Sequence, residues 1–227
     1  MYQNPPSELP ETHIDHLDHQ YIVIEGSIGV GKTSLAKKLA STLNAQLELE
    51  NAAANPFLEK FYENPEDSAL PTQLYFLFHR HKRMQQLMQK DMFKPNIIAD
   101  YLMDKDRLFA KVTLDDDEFS LYDQVYQQMT LQHSEPDLVV YLQAPVDFLI
   151  EKVSQKFSDK RISFPLDYLR KINEAYNEFF YYYSDAPLLI VNASGIDLVN
   201  NEVHYNELLE RIRETRAGRN YFNPKEL

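Results

Sequence analysis

One stretch limits what this chain can fold into more than any other: "YIVIEGSIGVGKTSLAKKLA", beginning at Tyr21. A strand-like apolar segment runs into Gly26-Ser27-Ile28-Gly29-Val30-Gly31-Lys32-Thr33, and helix-like sequence follows. Glycine, four residues, then Gly-Lys-Thr is the spacing of a phosphate-binding loop, and a strand before it with a helix after it is the setting such a loop needs. The chain has 5 Gly, and Gly26, Gly29 and Gly31 all lie here. They let the backbone bend so that successive N–H groups point inward. Lys32 then offers a cation to the terminal phosphates of a nucleotide, and the Thr33 hydroxyl can ligate Mg2+. A tight turn with a helix cap is the plainer alternative.

The rest of the sequence continues the alternation. Strand-like segments recur at "YIVIEG", "AQLELE", "NIIAD", "DLVVYLQ" and "PLLIVNA", separated by longer helical stretches. Several are nearly continuous in apolar residues, as strands covered on both faces are. The expected fold is therefore α/β: a three-layer arrangement with a five-stranded parallel sheet wrapped by helices. Residues 1–19, polar and carrying Pro5, Pro6 and Pro10, read as a flexible tail or linker remnant. The domain is expected over 20–215, and 216–227 as a C-terminal tail. Pro71 is expected to start a long helix, and Pro95 to mark a break before "NIIAD". Asp115, Asp116 and Asp117 read as an acidic helix start rather than a metal site, and "FFYYYSD" as an aromatic helix end.

Composition removes several classes of function. A net charge of −12 would repel a nucleic-acid backbone, so polymeric nucleic acid is not an expected partner, whereas a small phosphorylated ligand can still be held by a loop and a few local cations. With no cysteine, the chemistry must use oxygen and nitrogen groups. No apolar run approaches a membrane span, and the opening residues lack the pattern of a signal peptide. A cytoplasmic protein with no membrane partner is expected.

A phosphate loop does not name its acceptor. In open α/β sheets ligands lie beyond the carboxyl ends of the strands, where Glu50 closes "AQLELE" and Asp100 closes "NIIAD". A carboxylate there can accept an acceptor hydroxyl's proton or hold Mg2+. Glu50 suits the first role and Asp100 the second; solvent-facing acids at strand ends are the competing reading.

From Tyr21 to about Arg213 the chain resembles the deoxynucleoside kinase family, which transfers the ATP γ-phosphoryl group to the 5′-hydroxyl of a deoxynucleoside. The resemblance rests on "EGSIGVGKT", on Glu50, and on "NPFLEKFYENPEDSALPTQLYFLFHR". It implies that Glu50 is the general base beside Lys32, and that Tyr62 bonds the sugar 3′-hydroxyl. It further implies that Gln73 and Arg80 read the base edge, with Asp106 as the arginine's acid. Family members that carry that acid act on purines or cytosine; a purine acceptor, deoxyadenosine or deoxyguanosine, is the favoured expectation, and the family implies a homodimer. Phe109 is either a base-stacking ring or core.

The chain departs from the pattern in two places. Arginine and serine commonly follow the family's third-strand acid, but here Asp100 is followed by Tyr101-Leu102, so that either Lys105 or Arg107 substitutes or activity is reduced. The lid segment "EKVSQKFSDKRISFPLDYL" carries Lys152, Lys156, Lys160 and Arg161 where arginines are usual, with Asp159 in place of a glutamate that contacts the sugar. Two other readings stay open at this point. One is a kinase of nucleoside monophosphates resembling thymidylate kinase, using Arg80, Arg83 and Arg107 for the acceptor's phosphate. The other is an ATP-binding regulatory module without transfer activity.

Overall fold

The computed structural model describes residues 19–88, 96–130, 135–158 and 164–224. In chain order the elements are β1 (Tyr21–Gly26), α1 (Lys32–Thr42), β2 (Gln46–Glu48), α2 (Leu58–Glu63), α3 (Pro65–Met88), β3 (Ile97–Ala99) and α4 (Lys105–Thr113). They continue as α5 (Asp116–Thr130), β4 (Leu138–Gln143), α6 (Val146–Phe157), α7 (Leu166–Tyr182), β5 (Leu188–Asn192), α8 (Glu202–Glu214) and β6 (Arg219–Phe222). The strands pair in the order β2-β3-β1-β4-β5-β6, every pair parallel. Among the described residues no helix is long and apolar enough to cross a membrane.

The strands sort their side chains by parity, as a pleated sheet requires. Ile22 and Ile24 of β1, Val140 and Leu142 of β4, and Leu189 and Val191 of β5 face one layer, where α1, α6 and α8 bring Leu39, Leu149 and Leu208. Tyr21 and Val23, Val139 and Tyr141, and Leu188 and Ile190 face the other, against Leu77 of α3, Leu108 of α4, Tyr122 of α5 and Phe180 of α7. Both faces of the sheet are thus covered, which is why the central strands read as unbroken apolar runs.

The sheet has six strands where five are expected from sequence. The sixth falls in 216–227, the segment expected to be a tail. Leu188 to Val191 pair with Arg219 to Phe222, and Phe222 is buried in the core. Arg219 fixes the strand from its polar side: its guanidinium donates to the carbonyls of Phe180 and Tyr181 at 3.0 and 2.7 Å, at the carbonyl end of α7 where a cation is favoured. A four-residue strand is too short to show a period of two.

The second difference concerns α3, which starts at Pro65 and runs through Pro71. Asn64 is extended (φ −143°, ψ 90°), as a residue before proline tends to be, and Pro65 takes the first helical position with Glu66 and Asp67 in the first turn. The acids at the start of α5 behave as expected. Asp115 accepts from the Glu118 N–H at 2.8 Å, and Glu118 returns a contact to the Asp115 N–H at 3.4 Å. This is a reciprocal cap.

Because β6 is part of the sheet, Phe222→Ala is expected to lower the free energy of unfolding by about 3 kcal/mol. Urea denaturation checks this; a change within about 0.5 kcal/mol, the range of an ordinary surface substitution, would mean the strand is not structural.

Candidate active site

β1 lies between β3 and β4, where the chain's direction of travel across the sheet reverses. The crevice at such a point is where an open α/β sheet binds ligands. The phosphate loop leaves β1 there. Gly26 is at φ 148°, and a Cβ on it would lie 2.5 Å from the Leu142 carbonyl oxygen of β4, so no other residue fits without moving the strand. Gly31, at φ 105°, makes the turn into α1, and its carbonyl accepts from the Leu35 N–H at 3.1 Å.

The Lys32 ammonium lies back across the loop, donating to the carbonyls of Gly26 and Ser27 at 2.6 and 3.2 Å. Burial pushes its pKa down to about 8, against the pull of Glu25. It is still charged at neutral pH.

The register β2-β3-β1 brings the two strand-end acids to the same loop. Asp100 follows β3, and its N–H donates to the Glu48 carbonyl at 3.1 Å. One oxygen of its carboxylate accepts from the Thr33 hydroxyl at 2.5 Å and the other from the Glu50 N–H at 2.7 Å. Burial raises the Asp100 pKa above the usual carboxylate value, and the Thr33 hydrogen bond opposes this. The Thr33 hydroxyl and Asp100 carboxylate are hard oxygen donors in contact with each other, the donor type Mg2+ takes when phosphate oxygens and water supply its remaining ligands.

A cleft of about 510 Å³ extends from Ile28, Gly31, Lys32 and Thr33 to Tyr62, Gln73, Phe76 and Arg80. That is the scale of a small-molecule site. Gln73, Phe76 and Arg80 stand at i, i+3 and i+7 of α3 and so share one face. Arg80 is buried and ion-paired with both Asp106 of α4 and Glu50. Its guanidinium carbon lies 5.1 Å from the centre of the Phe76 ring. Tyr62 packs on Phe157 and Phe164 with ring centres 6.1 and 5.0 Å apart. Burial raises its phenol to about 12, so it stays protonated and able to donate. Phe109 both lines the cleft and packs edge-on against Tyr176.

The two candidates for the missing cation separate clearly. Lys105 lines the cleft and is almost fully buried, with its ammonium 3.2 Å from a Glu50 oxygen. Arg107 is half exposed and pairs with Asp123 of α5 at 2.7 Å, outside the cleft. Arg83 pairs with Glu48 at 2.5 Å and does not line the cleft either. Arg80 is therefore the one member of the three-arginine set, Arg80, Arg83 and Arg107, that faces the site. Lys152 and Lys156 of α6 reach the cleft, whereas Asp159, Lys160 and Arg161 lie outside the described residues.

Glu25 is a site residue that sequence reasoning passes over. It is fully buried in β1. Its carboxylate accepts from the Gly26 and Leu102 N–H groups at 2.9 and 2.7 Å and from the Tyr176 hydroxyl at 3.0 Å. The available signal was a lone acid in an otherwise apolar strand. Phe76 is also missed, although its spacing from Gln73 and Arg80 places it on their face.

A phosphate loop at a sheet reversal, an acid pair joined to it, and a cleft of nucleoside size with a carboxamide and a guanidinium at its far end are the parts of a P-loop phosphotransferase. The family model for deoxynucleoside kinases matches residues 22–216. The chain belongs to the deoxynucleoside kinase family, phosphotransferases with a hydroxyl acceptor. It is 26% identical over 199 residues to deoxyguanosine kinase of Bacillus subtilis (strain 168), covering 86% of this chain and 96% of that one. It is 29% identical over 168 residues to deoxyadenosine kinase of Dictyostelium discoideum, covering 72% and 67%. A structure of deoxyadenosine kinase from M. mycoides with bound dATP shares the fold with a TM-score of 0.73 at 23% identity, covering 85% of this chain and 98% of that chain.

Arg80→Met would leave the buried Asp106 carboxylate without its cation, and unfolding free energy is expected to drop by about 3–5 kcal/mol. Arg80→Met with Asp106→Leu, which removes both charges, should recover most of that loss in urea denaturation. A single variant as stable as the native protein would contradict the pairing.

Proposed function

We propose that this kinase uses ATP and Mg2+ to phosphorylate the 5′-hydroxyl of a purine deoxynucleoside, deoxyadenosine or deoxyguanosine, in nucleotide salvage. The carrying observation is the unbroken chain from Thr33 through Asp100 to Glu50, which ties the phosphate loop to the proposed base. In this reading residues Gly26 to Thr33 hold the ATP phosphates, with Lys32 on the terminal ones and Lys156 of the lid facing them. Thr33 and Asp100 would hold Mg2+, which would supply charge neutralisation on the phosphate oxygens.

Glu50 takes the 5′-hydroxyl proton as that oxygen attacks the γ-phosphorus and ADP departs. Before that, the nucleoside's hydroxyl displaces Arg80 from Glu50, and the guanidinium turns to the base with Asp106 as its remaining partner. Gln73 pairs with the base edge through its donor and acceptor, and Tyr62 meets the sugar 3′-hydroxyl. Names of curated relatives, deoxyguanosine kinase and deoxyadenosine kinase, support the purine assignment. A cytoplasmic setting, where ATP and nucleosides are both available, belongs to the same reading.

A homodimer is the proposed assembly. Phe78 of α3 and Leu121 of α5 are 51% and 52% exposed and line a common surface groove, an apolar patch suited to a second copy. Light scattering should give twice the chain mass, and Phe78→Asp with Leu121→Asp should give the monomer; a native monomer at micromolar concentration would remove the proposal.

Labelled phosphoryl transfer from ATP to the four deoxynucleosides and their monophosphates tests the acceptor. Product should come from the purine deoxynucleosides. Product from the monophosphates alone would favour the monophosphate-kinase reading, and ATP binding without product would favour the regulatory module. In the same assay Glu50→Gln should bind ATP normally while turnover falls by about 10²-fold or more; unchanged turnover would rule Glu50 out as the base.

A further inference from the structure

Lys105 is an unusual residue for the start of a helix. Its side chain is 2% exposed, and its ammonium sits between two carboxylates, 3.5 Å from Glu25 and 3.2 Å from Glu50. Burying an ammonium is unfavourable unless its partners are well placed, and a lysine at a helix surface ordinarily keeps its head in water. Here one partner is fixed. Glu25 already holds the Gly26 and Leu102 N–H groups and the Tyr176 hydroxyl, so its carboxylate cannot turn without breaking them. The other partner, Glu50, lines the cleft and is the more exposed of the two. The arrangement is directional, from a rigid anchor under the sheet's end to a carboxylate facing the ligand.

We propose that Lys105, anchored by Glu25, is a positioning residue for phosphoryl transfer: it orients the Glu50 carboxylate and supplies the cation that faces the reacting oxygen as charge develops there. This rests on Glu50 being the base. In the step itself the 5′-O–H bond breaks and its proton passes to Glu50. A bond forms between that oxygen and the γ-phosphorus, and the bond from the γ-phosphorus to the bridging oxygen breaks, its electron pair leaving on ADP. Lys105 transfers no proton. Once Glu50 is neutral, the ammonium has lost one of its two counter-charges and faces the negative oxygens of the transferring group, so its attraction is greatest in the transition state. Interactions of that kind raise kcat rather than lower KM.

Glu25 extends the effect to the donor side. The carboxylate that holds Lys105 also accepts the N–H of Gly26, the first residue of the phosphate loop. Donor loop and proposed base thus share one buried anchor. At neutral pH the ammonium keeps its proton: burial lowers its pKa to about 8, opposed by Glu25 and Asp100 and assisted by the neighbouring Arg80.

A merely structural role would predict that removing both buried charges together is harmless, since a buried ion pair can often be replaced by neutral groups of similar volume. The deciding variant is therefore Glu25→Gln with Lys105→Met. The expected result is native-like melting, a KM for deoxyadenosine within about threefold of native, and kcat lower by about 10²-fold, the scale of removing one preorganised electrostatic group. Native-like turnover in a folded double variant overturns the proposal. As a second measurement, Lys105→Ala is assayed with added propylammonium or with propanol. Recovery of turnover with the amine only supports a charge requirement, and equal recovery or none with both overturns it. Glu50→Gln run in parallel separates the two assignments: activity lost there but kept in the double variant defeats only the Lys105 role, whereas activity kept in Glu50→Gln defeats the base reading beneath it.

Discussion

The Asp100 carboxylate is the interaction on which the site's geometry depends. One oxygen takes the Thr33 hydroxyl at the start of α1 and the other takes the Glu50 backbone N–H beyond β2. Neither bond is possible unless β3 lies between β1 and β2 in the observed register, with Val23 opposite Ala99 and Ala99 opposite Glu48. Three segments distant in sequence are thereby fixed around one side chain. The sheet order is not a background to the site; a one-residue slip of β3 would turn Asp100 to the other face and release both neighbours.

Around that carboxylate the protein buries more charge than a small α/β core usually tolerates. Glu25, Lys105, Arg80 and Asp106 are each no more than 5% exposed. Each has a named counter-charge: Lys105 meets Glu25 and Glu50, and Arg80 meets Asp106 and Glu50. Such pairs contribute little net stability compared with apolar replacements, but breaking one partner is costly. Their place at the sheet's carboxyl end fits the ligand role proposed for them. Groups held in place before the substrate arrives need no reorganisation when charge moves.

How much of this is legible in the sequence depends on range. The phosphate loop is local, so its eight residues announce both its conformation and the strand and helix beside it. Glu50 and Asp100 are legible as strand-end acids, and Gln73 and Arg80 through the family resemblance. Glu25 is not, because a single acid in "YIVIEG" looks like a lapse in an apolar strand until Tyr176, 151 residues away, is seen to bond it. Lys105 and Arg107 cannot be told apart by spacing from Asp100; the packing of α4 against α5 decides that Arg107 faces Asp123 and Lys105 faces the cleft. The sixth strand is hidden for a different reason. Four residues give no periodicity, and what holds β6 in place is Arg219 on the end of α7 together with Phe222 in a core built by distant helices.

The charge balance of the site also bears on how an acidic chain can hold a triphosphate. Lys32, Lys105 and Arg80 face Glu25, Glu50, Asp100 and Asp106 at close range, so the cations are already engaged. Lys32 is bonded to carbonyls and can turn to phosphate, but Lys105 and Arg80 are committed to carboxylates. A triphosphate added to this set would leave it strongly negative unless further positive charge came with it or closed over it. The lysines of α6 are one source, since Lys152 and Lys156 already line the cleft, and the Mg2+ of the proposed reaction would be another. In the proposed reaction affinity for ATP would come from the loop's N–H groups and Lys32, whereas neutralising the transferred charge would fall to Mg2+, the α6 lysines and, once Glu50 has taken the proton, Lys105. The overall charge of −12 then weakens only the long-range approach of the nucleotide, which salt screens, and leaves the bound geometry unaffected.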